Sequence, residues 1–124
     1  MKLILRLEEL GLLLLCIVLL YIVHAEWWWY LLMFIGPDIS MAGYAINNKV
    51  GAFLYNLFHH KGIAALVLLS GILVMSDYLF SDYRWLYNIG AVLLGHSSMD
   101  RFFGYGLKYE NGFKFTHLGE IGKK

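Results

Sequence analysis

Apolar residues fall into four long blocks along this chain, each separated from the next by a few polar positions. The first runs from about Leu3 to Val23, roughly 20 residues and long enough to cross the hydrocarbon core of a bilayer as a helix. His24-Ala25-Glu26 forms a short turn, and the second block runs from Trp27 to about Ile46. It opens with Trp27-Trp28-Trp29-Tyr30, an amphipathic aromatic cluster of the kind that settles at a membrane interface. Within it, Pro37 removes a backbone donor and disfavours a helical conformation at Gly36, which predicts a kink or a helix restart with Asp38 in the first turn. Carbonyls freed at such a kink need partners from elsewhere in the bundle.

Asn47-Asn48-Lys49 is a polar turn. From Val50 to Met75 only Asn56, His59, His60 and Lys61 interrupt the apolar run, which predicts one long helix, with a break at Lys61-Gly62 as the alternative. Ser76 to Tyr83 carries Asp77 and Asp82 and reads as a loop, with Tyr78, Tyr83 and Trp85 as a second aromatic band. The fourth block runs from about Tyr83 to Phe103, and a glycine-rich, aromatic and basic tail follows. The expected fold is therefore all-α: a four-helix transmembrane bundle over residues 3–23, 27–46, 50–75 and 83–103, with an interfacial tail over 104–124, in a single domain.

Composition strengthens that expectation. Of 124 residues, 60% are hydrophobic, 17% aromatic and 15% charged, with a mean hydropathy of +0.60, well outside the range of ordinary soluble domains. The net charge of +1 gives no footing for nucleic acid as a partner. The single cysteine, Cys16, rules out an internal disulfide and reads as a small core or lipid-facing residue. Lys2 and Arg6, the run Gly11 to Val23 and Val23-His24-Ala25 have the outline of a secretory signal, but we read them as a retained transmembrane helix with Glu8 and Glu9 near its start. With four spans, Lys2, Arg6, Lys49, Arg101, Lys108, Lys114, Lys123 and Lys124 fall on one side, so both termini are expected in the cytoplasm.

That topology gives each polar residue a depth. At about 1.5 Å of rise per residue, Asp38 and His59 come out near 12 to 14 Å from the cytoplasmic ends of their helices, and His96 near 10 Å with Asp100 one turn shallower. Ionisable groups at such depths are costly, usually face the bundle interior and mark functional sites. His96 and Asp100, four residues apart, share one helix face. Two chemistries suit the cluster. Asp38, His59, His96 and Asp100 are candidate ligands for zinc, iron or manganese, with Glu8, Glu9, His60 and His117 within reach of the cytoplasmic mouth. The alternative is a metal-free proton relay in which Asp100 fixes the tautomer of His96.

Each residue also has a structural reading. His59 and His60 point about 100° apart, so only one faces the site, and Asn56 one turn back selects His59. Asp38 after Pro37 could serve only as a helix N-cap, and His96 with Asp100 only as a clamp that ties the fourth helix to the bundle. Ser40, Ser97 and Ser98 read as glue between helices, Tyr44 and Tyr55 as packing. The tail alternates rings and bases at Tyr105, Lys108, Tyr109, Phe113, Lys114 and Phe115. It reads as an anchor on anionic lipid heads or as a lid, the latter bringing Thr116, His117 and Arg101 over the cluster while Lys108 and Arg101 hold a phosphate.

Two blocks carry a family resemblance. They are Gly36-Pro37-Asp38-Ile39-Ser40-Met41-Ala42-Gly43-Tyr44, with Val50-Gly51-Ala52 to Tyr55-Asn56-Leu57-Phe58-His59 behind it, and Gly95-His96-Ser97-Ser98-Met99-Asp100-Arg101 continuing through Gly104 to Tyr109 and on to Thr116-His117-Leu118-Gly119. The chain resembles the domain-of-unknown-function 4260 family of small bacterial integral membrane proteins. The resemblance implies that Asp38, Asn56, His59, His96, Asp100, Arg101 and His117 belong to the family's pattern, and it implies a multi-pass location in the bacterial inner membrane. A weaker resemblance, in the order Pro37-Asp38, His59, then His96 to Asp100, is to membrane-bound metal-dependent hydrolases, although their Asp-x-Asp-His and Thr-His-Ser signatures are missing here.

The functional expectation is a metal site in the cytoplasmic leaflet that hydrolyses a lipid-linked ester or phosphate. Asp38, His59, His96 and Asp100 are its ligands, His96, Asp100 and Arg101 its catalytic groups, and Asn56, His117 and Lys108 its supporting shell. Membrane lipids and a second copy or a larger membrane complex are the expected partners. The competing expectation is a non-enzymatic accessory or scaffold subunit whose polar cluster is only an internal clamp.

Overall fold

The computed structural model of the protein describes residues 1–76 and 83–123. The expected loop acids Asp77 and Asp82, the ring of Tyr78, and Lys124 lie outside the described residues. The fold is predominantly helical, in the order α1 (Lys2–Ile22), α2 (Trp27–Ile35), a 3-10 helix (Gly36–Ala45), α3 (Asn48–His59), α4 (Lys61–Met75) and α5 (Arg84–Phe103). The tail closes with a small antiparallel hairpin of β1 (Phe115–Thr116) and β2 (Gly119–Glu120), with Thr116 paired to Gly119.

Two of the four expected helices are broken, and each break has a local cause. In the second block the α-helix stops at Ile35, and Pro37 sits at the start of a ten-residue 3-10 helix. Runs of 3-10 helix usually end within three or four residues. This one, rich in Gly, Pro and Ser, is held against α3. In the third block the expected single helix over 50–75 is two helices, α3 and α4, bent by 44°. The break falls at His60, one residue before the Lys61-Gly62 alternative. His60 has an extended backbone (φ −83°, ψ 111°), and its Nδ1 accepts the Ile63 N–H at 3.3 Å as the N-cap of α4. In a continuous helix that N–H would have gone to the carbonyl of His59.

Helix α5 is the axis of the molecule, with α1 and α4 packed along it and α2 crossing beside them. The core joins Leu13, Cys16 and Leu20 of α1, Trp29 and Met33 of α2, Leu68 of α4, and Tyr87, Ala91 and Val92 of α5. Cys16 is therefore a core residue. Helices α4 and α5 meet backbone to backbone. A Cβ on Gly71 would lie 2.4 Å from the Tyr87 main chain, and one on Gly90 the same 2.4 Å from the Leu68 main chain. Only glycine fits at either position.

Helix α5 ends on Gly104, whose φ of +96° turns the chain back in the left-handed conformation that glycine tolerates best. The tail is folded onto the bundle, with Lys108 and Thr116 buried and bridged to each other. Asn56 of α3 holds it there: its Nδ2 donates to the Lys108 carbonyl at 2.9 Å and its Oδ1 accepts the Lys108 N–H at 2.6 Å. The first turns of α1 and the end of the tail line one groove, so both ends of the described chain lie at the same end of the bundle.

Among the described residues no single helix is long and apolar enough to cross a membrane, and the bent pair α3–α4 reaches that measure only together. Helix α1 is apolar from Leu10 onward but carries Lys2, Arg6, Glu8 and Glu9 in its first turns.

Candidate metal centre

Two breaks in regular structure and one continuous helix aim four side chains at one point. Asp38 stands in the first turn of the 3-10 helix, which has no side-chain cap, so its carboxylate is not spent on the helix end. His59 is the last residue of α3, at the break. His96 and Asp100 lie one turn apart on the buried face of α5. One ligand atom from each of the four falls within 4.8 Å of every other.

The two imidazoles are oriented by backbone carbonyls. His96 Nδ1 lies 2.8 Å from the Met33 carbonyl, and His59 Nδ1 lies 2.8 Å from the Tyr55 carbonyl. A carbonyl only accepts, so each Nδ1 carries the proton and donates, and each Nε2 presents its lone pair to the cluster. The Met33 carbonyl is available because its helical partner would be the N–H of residue 37, which is proline. The kink that the sequence predicts thus supplies the group that fixes His96. Asp100 does not fix that tautomer, contrary to the proton-relay expectation: its Oδ1 stands 3.8 Å from His96 Nε2, beyond hydrogen-bond range, on the other ring nitrogen.

Around the centre, His96 Nε2 is 3.3 Å from Asp38 Oδ1, and His59 Nε2 is 3.6 Å from the same oxygen and 3.5 Å from Asp100 Oδ2. His96 Nε2 is within hydrogen-bond reach of Asp38 Oδ1, whereas His59 Nε2 is too far from either carboxylate to bond to it. His59 Nε2 is fully buried and has no hydrogen-bond partner among the described residues. A tetrahedral ion with bonds of about 2.0–2.1 Å sets its ligands about 3.3–3.4 Å apart, against separations of 3.3 to 3.8 Å here and an outer limit of 4.8 Å for the four ligand atoms, so the group would have to draw in slightly around an ion. Both histidine side chains are fully buried and Asp100 nearly so, whereas the Asp38 side chain is 37% exposed and forms the open side of the cluster.

Tyr55 is the residue that the sequence reading missed. Its hydroxyl donates to Asp100 Oδ2, and its ring stacks on His59 with centroids 3.8 Å apart and planes 7° from parallel. A signal was present, because Tyr55 precedes His59 by four residues, the same spacing that singled out His96 and Asp100. Apolar neighbours on α3 hid it as a packing residue.

The remaining expected site residues surround the cluster without joining it. Arg101 donates from Nη1 to the Tyr105 carbonyl at 2.7 Å and from Nη2 to the His59 carbonyl at 3.3 Å, the one released by the break at His60. Asn56 clamps the tail. His117 is exposed in the tail, where its Nδ1 accepts the Leu107 N–H at 2.8 Å, and burial with the Arg101 charge pushes its pKa down. Glu9 pairs with Lys61, and His60 caps α4. Lys108 does not reach outward for a phosphate. Its Nζ is buried without a hydrogen-bond partner among the described residues, 3.9 Å from the Phe113 ring centroid, 4.7 Å from Tyr55 and 5.7 Å from Tyr105. An ammonium in an aromatic cage gains cation–π attraction but loses water, and burial pushes its pKa down to about 8. The tail lies over Tyr55 as a lid would, but with a lysine as its contact.

A helical protein in which two helix breaks and an unbroken helix converge two imidazoles and two carboxylates on one largely buried point has a donor set that could hold a divalent metal. Residues 2–121 match the family described as Domain of unknown function (DUF4260), and the chain belongs to that family. No curated protein and no solved structure matches it.

Proposed function

We propose that this is a multi-pass protein of the bacterial inner membrane in which Asp38, His59, His96 and Asp100 hold one zinc ion for the hydrolysis of a lipid-linked ester or phosphate. The observation that carries the metal is the convergence of four ligand atoms within 4.8 Å of one another, with both imidazoles held through Nδ1 on backbone carbonyls so that Nε2 faces the cluster. Hydrogen-bonded Nδ1 atoms are the usual second layer of metal-bound histidines. Four-fold coordination by nitrogen and oxygen favours zinc, since manganese takes six oxygen-rich ligands. Two carboxylates balance the charge of a divalent cation in this buried setting.

A zinc ion with four protein ligands has no open position. For hydrolysis the exposed Asp38 would have to yield its place, or the ion take a fifth ligand, before a coordinated water could be activated by its Lewis acidity. The chain's own part is to present that ion on one side only. Asp38 is the exposed ligand, so a substrate approaches past it, while Tyr55 holds Asp100 from behind and the tail covers Tyr55. Support for the membrane comes from the apolar side chains facing outward along the bundle, among them Leu3 (68% exposed), Ile4 (60%), Phe53 (66%), Leu66 (65%) and Leu73 (63%). An outward surface of that kind needs lipid or a protein partner.

The test is elemental analysis of purified protein beside Asp38→Ala and His96→Ala. One zinc per chain is expected in the parent and a clear loss in both variants, with p-nitrophenyl ester or phosphodiester cleavage lost alongside. A parent without stoichiometric metal sinks the proposal and leaves the cluster as an internal clamp in an accessory subunit.

A further inference from the structure

A groove of about 950 Å³ opens at the end of the bundle where the two chain ends meet, between the first turns of α1, the start of α4, the end of α5 and the folded tail. Its charge is unbalanced. Of its cations, Lys61 is paired with Glu9 and Lys123 with Glu120, whereas Lys2, Arg6 and Arg101 make no ion pair among the described residues. The Arg101 guanidinium is held rigid by its two carbonyl partners, which leaves three of its five N–H groups for a ligand. Arg6 reaches the same corner, with Nη2 4.0 Å from the space a Cβ on Gly104 would take. Apolar Leu5, Phe103 and Ile121 share the walls. Outside the groove, α1 continues as the exposed Leu3, Ile4 and Leu7.

We propose that this groove binds the headgroup of an anionic phospholipid, with Lys2, Arg6 and Arg101 on the phosphate and the acyl chains along the outer face of α1. A cationic end joined directly to an exposed apolar face is complementary to that ligand and to no free anion, which would leave the apolar face uncovered. Guanidinium groups suit the contact because they meet phosphate oxygens with two parallel N–H bonds. The site is separate from the metal centre, which lies on the far side of Arg101 beyond the His59 carbonyl. It shares the membrane reading above and does not draw on the metal.

Native mass spectrometry of the delipidated full chain in non-ionic detergent, titrated with phosphatidylglycerol or phosphatidylcholine, tests the proposal. One phosphatidylglycerol per chain is expected at a concentration about tenfold or more below that needed for phosphatidylcholine. The double variant Lys2→Ala/Arg6→Ala is expected to lose this preference while keeping its metal and its helical circular dichroism. Lys49→Ala, a cation outside the groove, is expected to keep it. Equal retention of the two lipids by the parent overturns the proposal, and so does an equal loss in Lys49→Ala, which would mean general surface charge. Displacement of the lipid by millimolar inorganic phosphate would assign the groove to a free anion instead. Metal content, measured on the same samples, keeps failure here distinct from failure of the zinc centre.

Discussion

The two ends of α5 handle buried polarity in opposite ways. At its N-terminal end, polar groups find partners nearby. Trp29 Nε1 donates to Glu26 at 3.1 Å, Arg84 donates to the Val23 carbonyl at 3.2 Å, and the Tyr87 hydroxyl donates to the Leu19 carbonyl at 3.0 Å. The buried Asn88 Oδ1, without a partner among the described residues, sits beside a cavity of about 200 Å³, room enough for water. At the C-terminal end, two imidazoles and two carboxylates from three separate elements face one another, with the Tyr55 hydroxyl donating to Asp100 and His59 Nε2 left without a partner among the described residues. The first arrangement is largely closed by its own hydrogen bonds; the second gathers groups that could hold a cation. Burying polar groups is common, and what marks a site is convergence without complement.

Chelation puts that contrast to its hardest test. Stripping the ion is expected to lower unfolding stability by about 3 kcal/mol or more, the linkage expected for a ligand held well above its dissociation constant. Glu26→Gln at the other end is expected to change stability by less than about 0.5 kcal/mol. Thermal unfolding with and without chelator reads both, and comparable effects at the two ends would erase the distinction. A smaller effect should come from Tyr55→Phe, which removes the donor behind Asp100. Competition with a chromophoric chelator is expected to show metal affinity about tenfold weaker, the usual cost of losing an outer partner of a metal ligand. Unchanged affinity would return Tyr55 to the role of packing.

The smallest effect expected lies in the tail. Burial holds the Lys108 pKa near 8 against an ordinary 10.5. Between those values the unfolded chain carries a proton that the folded chain has lost, so stability rises with pH through that window. Unfolding temperatures measured from pH 7 to 10 should therefore show the parent gaining on Lys108→Met as pH rises. A constant difference would mean that the amine is solvated and the cage open.

Much of the site was legible in the sequence because its residues break the apolar pattern. Asp38, His59, His96 and Asp100 are polar intrusions in apolar blocks, which singled them out, and the fold brings them together. Pro37 likewise announced its kink. The break at His60 was harder to place: Asn56 one turn back picked out His59 as the inward ring, but nothing in the sequence marked His60 as an imidazole that caps its own chain. Tyr55 was hidden by its apolar ring. The buried Lys108 ran against expectation because a lysine in a polar tail ordinarily faces water, and only the Asn56 clamp on its backbone and three rings around its amine explain its position.

The glycine contact between α4 and α5 determines how the centre tolerates change. Gly71 and Gly90 pin the two helices at a point about one and a half to two turns from His96 along α5. A slip of one turn would carry His96 and Asp100 about 5.4 Å away from Asp38 and His59 and scatter the four ligands. Alignment of the cluster is thus a matter of mechanical tolerance, set like a dowel joint by two residues that carry no chemistry, and a single added methyl group there would misalign a centre it never touches.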